Sequence, residues 1–371
     1  MNTTKVIRPP RFLTSLAFLS LALGITVAHA DQSQFLNGKL ETRAVNQNLE
    51  ASVAQIAAEA QQPKWVAYEV QPVESGHTVC CGNYQRDGQS ELCGTCNLER
   101  GHGDSIVEQD SKRAFKLEPS SPLTVLLRLD QKRVMRIRVA SSNCTLDAGG
   151  LRVVWLTGVK PEESVTLLTQ YVTAKGSERD GDEDLSQPAL LAIAQHADSS
   201  ADRVLASFVS PDQPSFLRDK ASFWLGAARG KSGLTLLEKM AKSDPSPDVR
   251  CKVSFALFLS HEPAAVDDMI RMAKDDADAH VRGQALFWLA QKAGKRAENT
   301  ITGAIQNDPD TEVKKKAVFA LSQMPKDEGV PKLIEVAQNN KNPEVRKQAM
   351  LWLGQSEDPR ALAFFEKILS E

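Results

Sequence analysis

After its first 30 residues the chain has no apolar run long enough to cross a membrane, so no spanning segment is expected in the mature protein. An excess of positive charge is also missing. The full sequence carries 45 Lys and Arg against 47 Asp and Glu. Without Lys5, Arg8 and Arg11 there remain 42 bases against 47 acids, a formal charge of −5. That balance argues against general nucleic-acid binding. Neither G-x-S-x-G nor H-E-x-x-H occurs. The six histidines are scattered, and no nucleophile, base and orienter fall together. Gly230-Lys231-Ser232 resembles the end of a phosphate loop, but Gly226 stands one residue too close and no strand precedes it. The expectation is therefore a protein that is not an enzyme, with no cofactor and no metal.

The N-terminus reads as an export signal. Lys5, Arg8 and Arg11 form a basic region, Phe12 to Val27 is apolar, and Ala28-His29-Ala30 supplies a small-x-small cleavage site. Cleavage after Ala30 would deliver a periplasmic or secreted chain. No cysteine sits at the cleavage point, so no lipid anchor is expected there.

Six cysteines in an exported chain suggest disulfides. His77, Cys80, Cys81, Cys93, Cys96 and His102 crowd one loop, and Cys144 follows. Structural disulfides drawn from Cys80, Cys81, Cys93, Cys96 and Cys144 are one reading. A zinc site and a thiol redox centre at Cys93 and Cys96 are the others. Five thiols cannot all pair internally, so Cys144 or one loop thiol is left over unless it reaches Cys251. Cys251 faces the core stripe less than Val249 does and reads as inert filler among packed helices.

The C-terminal half repeats one pattern every 32 residues. Leu217, Val249, Val281, Val313 and Val345 share a register, and each is followed by a base: Arg218, Arg250, Arg282, Lys314, Arg346. Eight positions on stand Leu225, Leu257, Leu289, Leu321 and Leu353. Ser246, Asp278, Asp310 and Asn342 occupy the cap position before four of these segments. Val249, Val253, Ala256 and Leu257 then make one apolar helical stripe. A second periodic segment follows each copy, so every repeat holds an A helix and a capped B helix. Leu185 to Ala194 and Ala201 to Val209 read as a degenerate earlier pair, and Pro359 to Leu369 as a closing A helix. A fixed period of this size means a stacked solenoid.

The motif acid-Val-Arg-x-x-Ala-x-x-x-Leu, best seen from Glu344 to Leu353, resembles HEAT repeats of the short type named after phycobilisome lyases. The layout as a whole is similar to bacterial secreted HEAT-domain proteins. The resemblance implies an α-solenoid of helical hairpins and no particular activity.

Upstream the pattern is mixed. Leu49 to Ala60 reads as an amphipathic helix and Lys64 to Gln71 as a strand. Leu123 to Asp130 and Arg133 to Ala140 read as a hairpin, Leu151 to Leu156 as another strand, and Pro161 to Val172 as a helix. Residues 176–184 are polar and turn-prone. The expected organisation is a signal at 1–30, a small β-rich α+β domain with flanking helices at 31–180, and the solenoid at 181–371.

Six residues after each register position stands a large apolar side chain: Phe223, Phe255, Phe287, Phe319, Leu351. Stacking would align them into a ridge on the B helices, edged by Lys220, Lys252, Lys315, Lys316 and Lys347. Such a ridge suits a protein or peptide partner, in particular an acidic amphipathic one. The alternative is that B-to-B stacking buries the rings. Trp224, Trp288 and Trp352 read as core, and the Arg row as a structural ladder to nearby acids or loop carbonyls. The functional expectation is an exported scaffold or adaptor. Its rival is a cell-envelope enzyme, or a thiol-redox or zinc factor, centred on the Cys80–Cys96 loop.

Overall fold

The computed structural model describes residues 35–73, 78–80, 83–85, 92–93, 95–100, 115–116, 122–142, 144–172 and 184–370. The expected signal, His77, Cys81, His102 and residues 176–183 of the polar stretch lie outside them. The described chain opens with β1 (Phe35–Leu36), β2 (Lys39–Ala44), α1 (Leu49–Glu59) and β3 (Lys64–Val70). Five short strands follow: β4 (Thr78–Cys80), β5 (Asn83–Gln85), β6 (Leu92–Cys93), β7 (Cys96–Asn97) and β8 (Phe115–Lys116). Then come β9 (Leu123–Asp130), β10 (Arg133–Ser141), β11 (Leu146–Asp147), β12 (Arg152–Thr157) and α2 (Pro161–Thr169).

The main sheet has five strands in the order β10-β9-β3-β12-β2. Strand β9 runs antiparallel to both β10 and β3, whereas β12 is parallel to both β3 and β2. The expected hairpin turns through Gln131 and Lys132, both at positive φ, which matches the twist of the strands it joins. Both sheet faces are covered, so the strands read as nearly unbroken apolar runs. Val66, Tyr68, Leu127 and Val154 face one side, with α1 and α2. Trp65, Ala67, Leu126 and Trp155 face the other, under a small parallel sheet of order β1-β11-β7.

The helical half contains α3 (Ser186–Gln195), α4 (Ser199–Phe208), α5 (Ser215–Ala228), α6 (Gly230–Ser243), α7 (Pro247–Leu259) and α8 (Ala265–Asp275). It continues with α9 (Ala279–Ala293), α10 (Lys295–Asn307), α11 (Thr311–Ser322), α12 (Lys326–Asn339), α13 (Pro343–Gln355) and α14 (Pro359–Ser370). Odd helices from α5 to α13 are the B helices and even ones from α6 to α14 the A helices. The expected caps form: Ser246, Asp278, Asp310 and Asn342 each accept a backbone N–H of their own helix. B helices pack on one another more closely than A helices do, which places the B layer on the inner side of the curve.

The sheet domain covers the start of the solenoid. Helix α3 packs against α2 and β10, and one apolar core runs through the junction without a break. Val73 donates to the Gln195 carbonyl at 2.8 Å, and Ala197 to that of Gln71 at 2.9 Å.

Close approach of the first two B helices depends on one glycine. A Cβ at Gly226 would lie 2.1 Å from the Ala256 carbonyl oxygen of α7, which is backbone and has no rotamer to yield. Gly354 holds the equivalent place in α13, and a Cβ there would meet nothing within 4 Å. Gly226→Ala is expected to destabilise by about 1–3 kcal/mol through overpacking. Gly354→Ala is expected to stabilise by about 0.5–1 kcal/mol, since alanine loses less backbone entropy in a helix. Urea unfolding of the two variants checks both signs. Equal shifts would show that the α5–α7 contact is not tight.

Candidate functional site: the inner face of the B helices

The five register residues are all buried, and the row six positions on turns away from that stripe, about 240° around each helix. Stacking then brings equivalent side chains together. Phe223 and Phe255 have ring centres 6.2 Å apart, and Phe287 and Phe319 lie 5.7 Å apart with planes inclined by only 3°. Trp288 fills the step between the two pairs, 4.6 Å from Phe255 and 4.8 Å from Phe287. Trp352 extends the row 4.8 Å beyond Phe319. The result is one continuous band of rings from α5 to α13.

The four phenylalanines are half-buried and Leu351 is exposed. Each ring therefore gives part of its area to its neighbour and keeps part for solvent. Trp224 is buried as expected of core, but Trp288 and Trp352 are only half-buried and belong to the ring band. Their indole Nε1 atoms are inaccessible and have no hydrogen-bond partner. Trp352 also lines a cleft of about 400 Å³ with Leu321, Met324, Val330 and Leu333, at the C-terminal ends of α11 and α13. Phe258 joins the band 4.9 Å from Trp288, with the Lys292 ammonium 5.8 Å from its ring. The sequence period hides Phe258, because Gly226, Ala290, Ser322 and Gly354 stand at its place in the other copies.

The lysine edge is uneven. Lys252 and Lys347 are exposed, while Lys220 lies over Phe216 with its Nζ 5.5 Å from the ring centre. Lys316 crosses α9 where Gly283 has no side chain, and its Nζ meets His280 Nδ1 at 2.9 Å. Lys315 pairs with Glu312 on its own helix.

The Arg row forms the expected ladder. Arg218, Arg250 and Arg282 grip Asp244, Asp276 and Asp308 with two nitrogens each, at 2.8–3.0 Å. These aspartates occupy the turn before the next B helix, where each also accepts a backbone N–H from the following cap residue. A third nitrogen reaches back to the preceding turn, as Arg250 to the Asp244 carbonyl and Arg282 to that of Asp276. Each rung thus ties three successive segments. Guanidinium hydrogen bonds to the aspartates raise Arg250 and Arg282 above their ordinary values. Burial pushes Asp308 up, but the Arg282 guanidinium and the Asp310 N–H outweigh it and hold the carboxyl below its usual range. The Arg row alone does not identify these partners; the signal that does is the recurrence of Asp244, Asp276 and Asp308 every 32 residues.

Of the disulfide candidates, Cys81 lies outside the described residues, and Cys80 and Cys93 are placed only as strand backbone. Cys96 is disulfide-bonded. Cys144 is not, correcting its place among the candidates: it sits in the core behind the sheet and its thiol faces the Val79 carbonyl at 3.6 Å. Burial pushes that thiol up to about 12. Cys251 is a buried thiol as well, pushed up to about 11 by burial and then by nearby acids such as Asp278. Neither forms a thiolate readily near neutral pH.

The family model described as HEAT repeats matches residues 298–371. No curated protein matches the chain. Among solved structures, human deoxyhypusine hydroxylase in complex with glycerol aligns at 15% identity, over 56% of this chain and 90% of its own, with a TM-score of 0.30. The complex of CpcE and CpcF of phycocyanin lyase from Nostoc sp. PCC7120 aligns at 17% identity, over 56% of this chain and 80% of its own, with a TM-score of 0.29. At those scores neither neighbour carries an argument about this chain. The helix pairs upstream of the matched segment keep its 32-residue period, so the α-solenoid extends through the helical half, and its C-terminal part, 298–371, matches HEAT repeats.

Proposed function

We propose that the chain is an exported scaffold or adaptor, without catalysis, that binds a protein or peptide along the inner face of its B helices. One observation carries this reading: an unbroken, half-exposed band of rings from Phe223 to Trp352, with ammonium groups at Lys252 and Lys347 beside it. A surface meant only for solvent would not hold a contiguous apolar strip across five repeats. The complementary ligand is an amphipathic helix with an apolar stripe and a flanking acidic face. Export rests on the basic and apolar segment at 1–30 with its Ala28-His29-Ala30 cleavage site.

The test uses tryptophan emission, because Trp288 and Trp352 sit in the band. A synthetic helical peptide with Leu and Phe on one face and Glu on the other should change that emission saturably. Reversing both exposed charges, Lys252→Glu with Lys347→Glu, should weaken binding about tenfold, equivalent to roughly 1.4 kcal/mol. These side chains are exposed, so the variant keeps its fold, as circular dichroism would verify. Absence of saturation up to about 1 mM peptide, equivalent to about −4 kcal/mol, would remove the ridge as a docking surface. So would an affinity untouched by charge reversal.

A further inference from the structure

Seven large apolar side chains are exposed among the described residues, and five of them lie on the last two helices: Met350, Leu351, Leu362, Ile368 and Leu369. Leu362 is 62% exposed and Leu369 87%. Their counterparts elsewhere show what this surface is. One and two repeats earlier, Val318 and Leu286 take the place of Met350, and both are fully buried. Val330, Val266 and Leu234 take the place of Leu362, at 3%, 6% and 7% exposed. Glu298 stands at that place in α10, so in three of the four earlier A helices the patch corresponds to an apolar face buried between repeats. A capping repeat ordinarily turns a polar face outward. Helix α14 does the opposite.

We propose that this end face is a self-association surface, covered by the same face of a second copy of the chain. Three observations select that occupant. First, the patch continues the helix-on-helix interface that builds the whole array. Second, a head-to-tail contact is closed off, because the sheet domain already covers the other end of the solenoid through α2 and β10. An isologous pairing of this face with itself stops at two copies. Third, the stripe on α14 is nearly palindromic. Leu362, half-buried Phe365 and Leu369 follow one another at three and four residues on one side of the helix. Two such helices running antiparallel place Leu362 of each copy against Leu369 of the other, with the Phe365 rings near the axis. Met350 and Leu351 then flank the seam from α13. The dimer is a single continuous superhelix with a sheet domain at each end.

Sedimentation of the full mature chain over a concentration series tests this directly. The expected result is a monomer–dimer equilibrium with a dissociation constant on the order of 10 µM, as suits a small two-helix interface. Leu362→Glu with Leu369→Glu should raise that constant at least about thirtyfold. Both positions are largely in solvent, so helix content stays unchanged, and peptide binding at the ring band is unaffected because neither residue touches it. Glu366→Cys offers a second readout: an exposed thiol close to the axis should give a covalent dimer on mild oxidation. A chain that is monomeric up to about 100 µM overturns the proposal, since its pairing would then be at least about tenfold weaker than this interface requires. A dimer indifferent to the two glutamates overturns it too, as do open-ended oligomers.

Discussion

Arg282→Ala is expected to destabilise the chain by about 3–5 kcal/mol, the loss typical when one member of a buried ion pair is removed. The Arg282 and Asp308 side chains are 9% and 6% exposed. Truncation would leave the Asp308 carboxylate buried with only the Asp310 N–H at 2.9 Å. It would also strip the Asp276 and Ala277 carbonyls of their guanidinium donor. The repeat array itself supplies the milder change. At the next rung Lys314 replaces arginine and Asn340 replaces aspartate, and the two make no hydrogen bond with each other. The guanidinium fork and the carboxylate it grips are given up together there, and Asn340 still accepts the Asn342 N–H at 2.9 Å. Arg282→Lys with Asp308→Asn copies that rung and should lose only about 1–2 kcal/mol, because no buried carboxylate is left without its partner and lysine's flexible stem can carry its ammonium toward water. Urea midpoints with unchanged slopes measure both. A loss under about 1 kcal/mol for Arg282→Ala would mean that the ladder is ornamental and that apolar packing alone sets the register of the stack.

The solenoid was legible because its physics is periodic. A valine, a base and a leucine at fixed offsets recur, each copy buries its stripe against the next, and a 32-residue spacing leaves little choice of fold. The caps at Ser246, Asp278, Asp310 and Asn342 were readable for the same reason. What escaped depends on how copies meet. Whether Phe287 is buried is decided by Phe319 and Trp288, not by its own helix, and the answer is half-burial. Trp288 and Trp352 were expected in the core, yet stacking tips them into the ring band. Phe258 breaks the period and so carried no signal. In the sheet domain, strands buried on both faces lose the alternation that would identify their sides. The hairpin of β9 and β10 is legible in the sequence, but the neighbours of β12 are not. The junction was least visible, because Tyr68, Ser164 and His196 are far apart in sequence and converge only in the folded chain.

Acid is expected to unlock that junction. His196 is fully buried where the sheet domain meets the solenoid. Its Nδ1 lies 2.6 Å from the Ala192 carbonyl and its Nε2 2.9 Å from Ser164 Oγ, and Ser164 Oγ is 2.9 Å from the Tyr68 hydroxyl. Since a carbonyl only accepts, Nδ1 carries the proton and Nε2 accepts from Ser164. Every member is satisfied with the imidazole neutral. The charged groups around it are Arg229, which donates to the His196 carbonyl and pairs with Asp202, and the neighbouring Asp198. Burial, reinforced by Arg229, lowers the imidazole to about 4 despite the pull of the Ala192 carbonyl and Asp198. The unfolded chain therefore takes up this proton first, near pH 6.5. Stability from the neutral contacts is complete above that value and falls as pH drops from about 6.5 to about 4, at up to about 1.4 kcal/mol per unit. The total is about 3 kcal/mol, and below pH 4 this group adds nothing further. Asp308, held below its usual range, adds a loss of the same sign at still lower pH. Comparing unfolding of the native chain with His196→Gln between pH 7 and 4 isolates the histidine, because the carboxylates are common to both. The two profiles should diverge by one proton. Parallel profiles would mean that the imidazole is charged in the folded state, and a charged ring at this position would have to turn Nε2 into a donor toward Ser164. That reversal would push the Ser164 proton toward Tyr68 and leave the tyrosine hydroxyl, buried and already raised by desolvation, without an acceptor.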